Sequence, residues 1–312
     1  MNLQQLEYII AVDTYRHFVT ASKKCFVTQA TLSMMIKKLE DDLKIKIFNR
    51  SKQPVKPTEI GAIVIAQARR IVAEVKNVNR LILEHEGKIT GELHIGIIPT
   101  LAPYLLHRFV KKFTEKYPAL KLKVSELVTD DIISKLRNGQ LDVGLLATPL
   151  NEKGLKEVPL FYERFMLYAC TDEKGMKKKY ILPDDIDSNR LLLLEEGHCM
   201  RSQVVNFCEL KKAHETNNNF EYEAGSIETL MKMVDQHQGI TIIPELAMEE
   251  LDKRKQERIR FFKSPAPVRE ISLVYHNDYH KKKLLEILQQ SILEHIPGHM
   301  YKMKGDVIEI KS

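Results

Sequence analysis

The chain is 312 residues long, 44% hydrophobic and 29% charged, which excludes a disordered polypeptide and leaves room for two or three folding units. Its four cysteines are too few for a disulfide scaffold, and no two of them have zinc-finger spacing. The net charge of +6 is concentrated, because residues 1–57 carry ten Lys/Arg against five Asp/Glu and the remainder 38 against 37. A basic head on a nearly neutral body implies an anionic partner, most simply nucleic acid. An acidic membrane surface is the competing partner, but no amphipathic anchor or lipidation signal is apparent. The opening MNLQQLEYII is not a secretory leader, and no run approaches the roughly 18 apolar residues of a membrane-spanning helix. The expected location is the cytoplasm, where thiols rest reduced.

In the head, Leu3, Leu6, Ile9, Ile10 and Val12 recur at helical spacing. A second short helix is predicted from about Phe18 to Phe26, with Ala21 and Cys25 inward. Thr28 then caps a third helix whose inner face holds Leu32, Met35, Ile36 and Leu39. Its outer face presents Gln29, Thr31, Ser33, Met34 and Lys37, polar groups suited to base edges and phosphates. The stretch KIKIFNRSKQPVKPT reads as two short strands around a turn, a wing offering Arg50, Lys52 and Lys56 to a nucleic-acid backbone. Periodicity alone leaves an ordinary three-helix bundle with a solvated basic face as an alternative.

The run TQATLSMMIKKLEDDLKIKIFNR, followed by VKPTEIG, resembles the DNA-binding signature of LysR-type transcriptional regulators. That resemblance implies a winged helix-turn-helix over residues 1–57, with Thr28, Gln29, Thr31, Ser33, Met34, Lys37, Arg50 and Lys52 against double-stranded DNA. One departure is Lys44, which stands where the family has glycine at the end of the recognition helix. A non-glycine residue in a left-handed cap costs about 1 kcal/mol.

From Thr58 to about His85 there is no proline, and Ile60, Val64, Ile71, Val75, Val78 and Ile82 form one stripe. A helix of that length extends about 40 Å, more than a small domain covers. The stripe is expected to pair with a second copy, as the dimerising linker helix of the family does (residues 58–86), although such stripes also serve domain cores.

After Gly87 the pattern becomes βα alternation. Strands are predicted at GELHIGIIP, LKLKVSELV, LDVGLLA, Phe165–Cys170, Leu191–Leu194, Gly239–Ile243 and Glu270–Tyr275. Helices are predicted at Leu101–Tyr117, Thr129–Asn138, Met200–Lys211, Ser226–Asp235 and Tyr279–Glu294. The expected fold is α/β with a mostly parallel sheet. Two lobes follow, one over about 87–161 and 267–296, the other over about 162–266. NGQLDVGLL and QGITIIPELA resemble the family's effector domain, built like a periplasmic binding protein; His237 departs from the usual glycine there. The tail, 297–312, lies outside the resemblance and has no assigned role. Thr100 and Thr129 each follow a strand and are placed to cap the next helix, or as a pair to bond a small polar ligand in the crevice.

Cys199 follows Gly197 at the expected start of a helix, flanked by His198 and Arg201. A helix N-terminus and nearby cations favour thiolate, the form that attacks peroxide and gives sulfenic acid. Cys208 is the only thiol nearby in sequence. Nine helical residues would hold the two roughly 13 Å apart along the axis, whereas a disulfide needs Cα atoms within about 7 Å. Bridging would therefore unwind the helix. Two alternatives stay open: a pair of small buried hydrophobes, and a metal site from His198, Cys199, Cys208 and His214.

GHCMRSQVVNFC is similar to the redox motif of the hydrogen-peroxide-sensing OxyR branch of the LysR-type regulators. That resemblance implies that Cys199 is peroxidatic and Cys208 resolving, and that Thr100, Thr129, His198, Arg201 and Arg269 surround the peroxide. It implies a homodimeric or homotetrameric activator, not an enzyme, working on DNA with RNA polymerase and needing neither cofactor nor metal. The alternative is a regulator of the same family answering a non-covalent small-molecule effector. Cys25 and Cys170 match nothing redox and read as core.

Overall fold

The computed structural model describes residues 1–51, 53–85, 89–170, 180–187, 190–208, 224–237, 239–279, 281–302 and 305–308. Lys52, His214 and 209–211, the predicted end of the redox helix, lie outside the described residues, as do the side chains of Ile82 and His237. The chain divides into two compact units, Met1–Gly91 with Lys135–Leu141, and Glu92–Ser134 with Asp142–Ser312.

The first unit begins with α1 (Leu3–Tyr15), α2 (Phe18–Lys24) and α3 (Gln29–Leu43). Asn2 and Gln5 satisfy each other's backbone N–H groups at 2.9 Å, a capping box that starts α1. Thr28 caps α3, accepting from Thr31 N at 3.1 Å. Leu32, Ile36 and Leu39 are buried against Leu6, Ile9, Val12 and Ala21, so the three helices close on one core. The helix at 18 ends earlier than expected: Phe26 adopts φ +56° and is 95% exposed.

The wing is β1 (Phe48–Asn49) paired antiparallel with β2 (Lys56–Pro57). Its anchor is Glu40, a buried carboxylate that accepts from Ile47 N at 2.8 Å, Phe48 N at 3.2 Å and Arg50 Nη2 at 3.1 Å. Lys44 ends α3 at φ +54°, ψ +37°, the left-handed cap expected of a glycine. Lys44→Gly is expected to stabilise this unit by about 0.5–1 kcal/mol, read as a raised denaturant midpoint at unchanged slope.

The linker helix is α4 (Glu59–His85). One face, Ile65, Ala68 and Val72, is buried in the first unit's core, so the small domain does cover part of the helix. Two members of the stripe, Val64 and Ile71, are half-buried against that same core, whereas Ile60, Val75 and Val78 are exposed. Gly61 sits where a Cβ would lie 2.0 Å from Ile47 O.

The second unit opens with β3 (Gly91–Ile97), α5 (Ala102–Lys116), β4 (Leu120–Glu126), α6 (Thr129–Arg137) and β5 (Val143–Thr148). The long β6 (Leu155–Ala169) is followed by β7 (Tyr180–Ile181), α7 (Cys199–Phe207), α8 (Ile227–His237) and β8 (Ile240–Pro244). Then come α9 (Glu245–Glu249), α10 (Lys253–Gln256), β9 (Ile259–Phe262), β10 (Pro267–His276), α11 (Lys282–Leu293) and β11 (Asp306–Val307).

The sheet is mixed, not mostly parallel. β3 and β5 are parallel, but β10 runs antiparallel to both β5 and β6, and β8 and β9 antiparallel to β6. The reason is that β6 and β10 are long strands running in opposite directions between two groups of strands. The first part of β6 pairs with β10 as far as Arg164, and the rest pairs with β8 and β9 from Phe165. Two short predictions also need correction. Leu191–Leu194 makes only single bridges, Leu191 to Ile240 and Leu194 to Ala224, and α11 starts at Lys282 rather than Tyr279.

Candidate functional site

Strand register builds the centre of the second unit. Arg269 on β10 stands directly opposite Glu163 on β6, and both side chains are 0% exposed. The guanidinium donates from Nε to Glu163 Oε2 at 2.8 Å, from Nη1 to Thr100 Oγ1 at 3.0 Å and from Nη2 to Thr100 O at 3.1 Å. Glu163 also accepts from Leu246 N at 3.2 Å. A buried ion pair of this kind holds only because its remaining hydrogen-bonding capacity is used. Burial still raises the Glu163 pKa, with Arg269 opposing the rise.

Cys199 is the first residue of α7 and is 5% exposed. Gly197, at φ +91°, makes the turn that brings it there. Burial raises the Cys199 pKa, contrary to the low value that a helix N-terminus suggests. The groups that oppose burial are the Thr129 hydroxyl, the Arg269 charge and backbone hydrogen bonds from Met200 and Ala147. Thr129 Oγ1 is buried, lies toward the Cys199 sulfur and has no other hydrogen-bond partner, which leaves it open to that sulfur and to what binds there.

The structure thus brings Cys199, Thr129, Arg269 and Thr100 together. Neither threonine caps a helix through its side chain: Thr100 is bonded to Arg269, and α5 is capped at Leu101 without a side-chain bond. The sequence neighbours of Cys199 play other parts. Arg201 donates to Leu194 O at 2.8 Å, and buried His198 lies 3.5 Å from Glu195. The cation that favours the Cys199 thiolate most directly, Arg269, comes from a strand 70 residues further on.

Cys208 is the C-cap of α7, half-buried, its pKa pushed up to about 12 by burial. All four cysteines are free thiols. The helix between Cys199 and Cys208 is intact, which keeps the sulfurs at opposite ends, roughly 13 Å apart along the axis. Phe207 fixes the far end of α7 by an edge-on contact with Phe262, centroids 4.9 Å apart. Cys25 and Cys170 are half-buried rather than fully core. Among the described residues no three His, Cys, Asp or Glu side chains gather as metal ligands.

In the first unit, Gln29, Met34 and Lys37 are exposed on α3. Thr28 and Thr31 bond each other at 2.9 Å. Ser33 accepts from Arg50 Nη1 at 3.2 Å, so Arg50 ties wing to helix while much of its side chain stays exposed. Sequence reasoning missed Glu40 and Glu163. Glu163 alternates with apolar Phe161 and Phe165 on one face of a strand, and Glu40 follows Ile36 by four residues on the inner face of its helix; an acid on an apolar face is a signal that asks for a buried partner. No helix among the described residues is long and apolar enough to cross a membrane.

Comparison with known proteins bears on both units. The family described as bacterial regulatory helix-turn-helix protein, lysR family, matches residues 3–62, and the LysR substrate binding domain matches 86–297. The hydrogen peroxide-inducible genes activator of Dickeya chrysanthemi is 36% identical over 98% of this chain and 99% of its own. A full-length OxyR variant from Pseudomonas aeruginosa superposes with TM-score 0.81 at 30% identity, covering 95% of this chain and 99% of that one. A hydrogen-peroxide-bound OxyR mutant from Corynebacterium glutamicum gives TM-score 0.61 at 27% identity, with 94% and 92% covered.

Proposed function

Because the chain belongs to the LysR family of bacterial helix-turn-helix regulators, in the branch of the hydrogen-peroxide-inducible activators, we propose that it switches transcription by oxidising Cys199. The observation that carries this reading is the convergence of the open Thr129 hydroxyl and the Arg269 guanidinium on the Cys199 sulfur.

The resting thiol is neutral, held so by burial. Thr129 and Arg269 act when peroxide enters, stabilising negative charge on sulfur as the thiol proton leaves. The sulfur attacks one peroxide oxygen, the O–O bond breaks, and the departing hydroxide takes a proton to leave as water. Cys199 is then a sulfenic acid. The Cys208 sulfur attacks it, an S–S bond forms, and a second water leaves. Two thiols have supplied two electrons to one peroxide. Each disulfide records one peroxide, and membership of a family of transcription regulators makes the chain a sensor and not an enzyme. His198 and Arg201 hold the turn before α7 through Glu195 and Leu194.

Disulfide formation cannot leave α7 intact, because its ends are too far apart to bond. Oxidation therefore remodels the effector unit, and the output is carried by the head on double-stranded DNA, with RNA polymerase as the further partner. Gln29, Met34 and Lys37 are the open contacts of α3, while Thr28, Thr31, Ser33 and Arg50 set their position. The exposed stripe Ile60, Val75 and Val78 supplies the contact with a second copy, in the cytoplasm, as a homodimer or homotetramer.

The test is non-reducing peptide mapping after stoichiometric peroxide, alongside DNA footprinting. A linked Cys199–Cys208 peptide and an altered footprint are expected, with both lost in Cys199→Ser. A peroxide response that survives in Cys199→Ser would refute the mechanism and favour a non-covalent effector.

A further inference from the structure

The C-terminal segment beyond residue 297 lies outside the family match, yet it is built into the second unit. Residues 298–302 form a short 3-10 turn with Met300 buried, and His299 Nε2 lies 3.0 Å from the buried carboxylate of Glu245. β11 then adds to β10 as a parallel strand, Asp306 beside Pro267 and Val307 beside Val268. Asp306 N donates to Ala266 O at 3.2 Å and Ile308 N to Val268 O at 2.9 Å. The next residue of β10 is Arg269.

The same segment reaches the redox helix. Gln203, in the middle of α7 and 0% exposed, donates from Nε2 to Ile308 O at 2.7 Å. The tail strand is thereby bonded on one side to the strand that bears the site's cation and on the other to the helix that bears both thiols. Its entry admits only glycine: a Cβ on Gly305 would lie 2.7 Å from Ala266 O and 2.8 Å from Val268 Cγ1.

We propose that the C-terminal strand is a strap that keeps α7 helical in the reduced protein, with Gln203 as a positioning residue and strap release as part of disulfide closure. This rests on the function proposed above. Closure unwinds the turns between Cys199 and Cys208, and Gln203 lies within them, so its bond to Ile308 breaks as the sulfurs approach. The attack of Cys199 on peroxide comes before unwinding and does not break that bond. The strap therefore slows the second step alone.

Gly305→Val dislodges the strand sterically, and Ile308→Pro removes the N–H that binds Val268 O, without touching any residue around Cys199. In the full-length chain, each is expected to speed conversion of Cys199 sulfenic acid to disulfide about tenfold, the worth of one hydrogen bond. The first step, read as dimedone-trapped sulfenic acid in a Cys208→Ser background, stays unchanged. A merely structural tail would shift both steps or neither. Closure at the parent rate, or slower, in both variants overturns the strap. Absence of any Cys199–Cys208 disulfide in the parent chain instead overturns the proposed function, and the strap with it.

Discussion

Replacing Arg269 by glutamine is expected to destabilise the protein by about 3–5 kcal/mol and to end rapid oxidation of Cys199. Both losses have one origin. The guanidinium is the direct partner of Glu163 and also the charge that favours thiolate at Cys199. Without it a fully buried carboxylate has only the Leu246 N–H, and its pKa, already raised by burial, rises further. The sign of the pH dependence follows. A carboxyl whose folded pKa exceeds its unfolded value folds at no penalty while protonated in both states. It loses stability as pH climbs from the ordinary carboxylate range through the raised folded value. The deficit of Arg269→Gln is therefore small in mild acid and largest above the folded pKa of Glu163. Urea unfolding at pH 5 and pH 8 measures it, and equal midpoint shifts at the two would refute the account. Adding Glu163→Gln removes the stranded charge and is expected to restore most of the stability but none of the peroxide reactivity, which separates folding from chemistry.

Gly61→Ala is expected to destabilise the first unit by about 2–3 kcal/mol, against the direction that helix propensity dictates. In an exposed helix interior alanine is better than glycine by about 1 kcal/mol. Here a Cβ would meet Ile47 O at 2.0 Å and its carbonyl carbon at 2.8 Å, both backbone atoms that no rotamer change can move. Relieving the clash draws α4 away from the wing and strains two bonds at that junction, Thr58 N to Ile47 O and Gly61 N to Thr58 Oγ1, each 2.9 Å. The cost is that of overpacking against a rigid wall. The variant should lose DNA affinity at fixed salt and unfold at lower denaturant. A midpoint equal to or above the parent's would show that the wing gives way freely.

What could be read before the structure was what local chemistry determines. Thr28 caps α3 because a short hydroxyl ahead of an amphipathic run has few other uses, and the wing strands and Cys199 at the head of α7 follow from similarly short-range signals. The left-handed turn at Lys44 was legible too, since the helix must end there whatever residue occupies the cap. Pairings over long distances were not legible. Arg269 and Glu163 are neighbours only because β6 and β10 run antiparallel in one register, which no local pattern reports. His198 and Arg201, adjacent to the thiol in sequence, looked like its cations. Nearness along the chain does not set where a side chain points, and Arg201 points to Leu194 O. The tail strand was opaque for a simpler reason: a two-residue strand is too short for any period to show.

The placement of the two thiols at opposite ends of one short helix has a consequence for timing. A sulfenic acid at Cys199 stays invisible to the rest of the molecule until α7 opens, and a reductant that reaches it first erases it. On the proposed mechanism the helix therefore sets a yield. Each sulfenic acid divides between reduction and closure in the ratio of their rates, so the fraction committed to a covalent memory depends on how often nine residues of helix come undone.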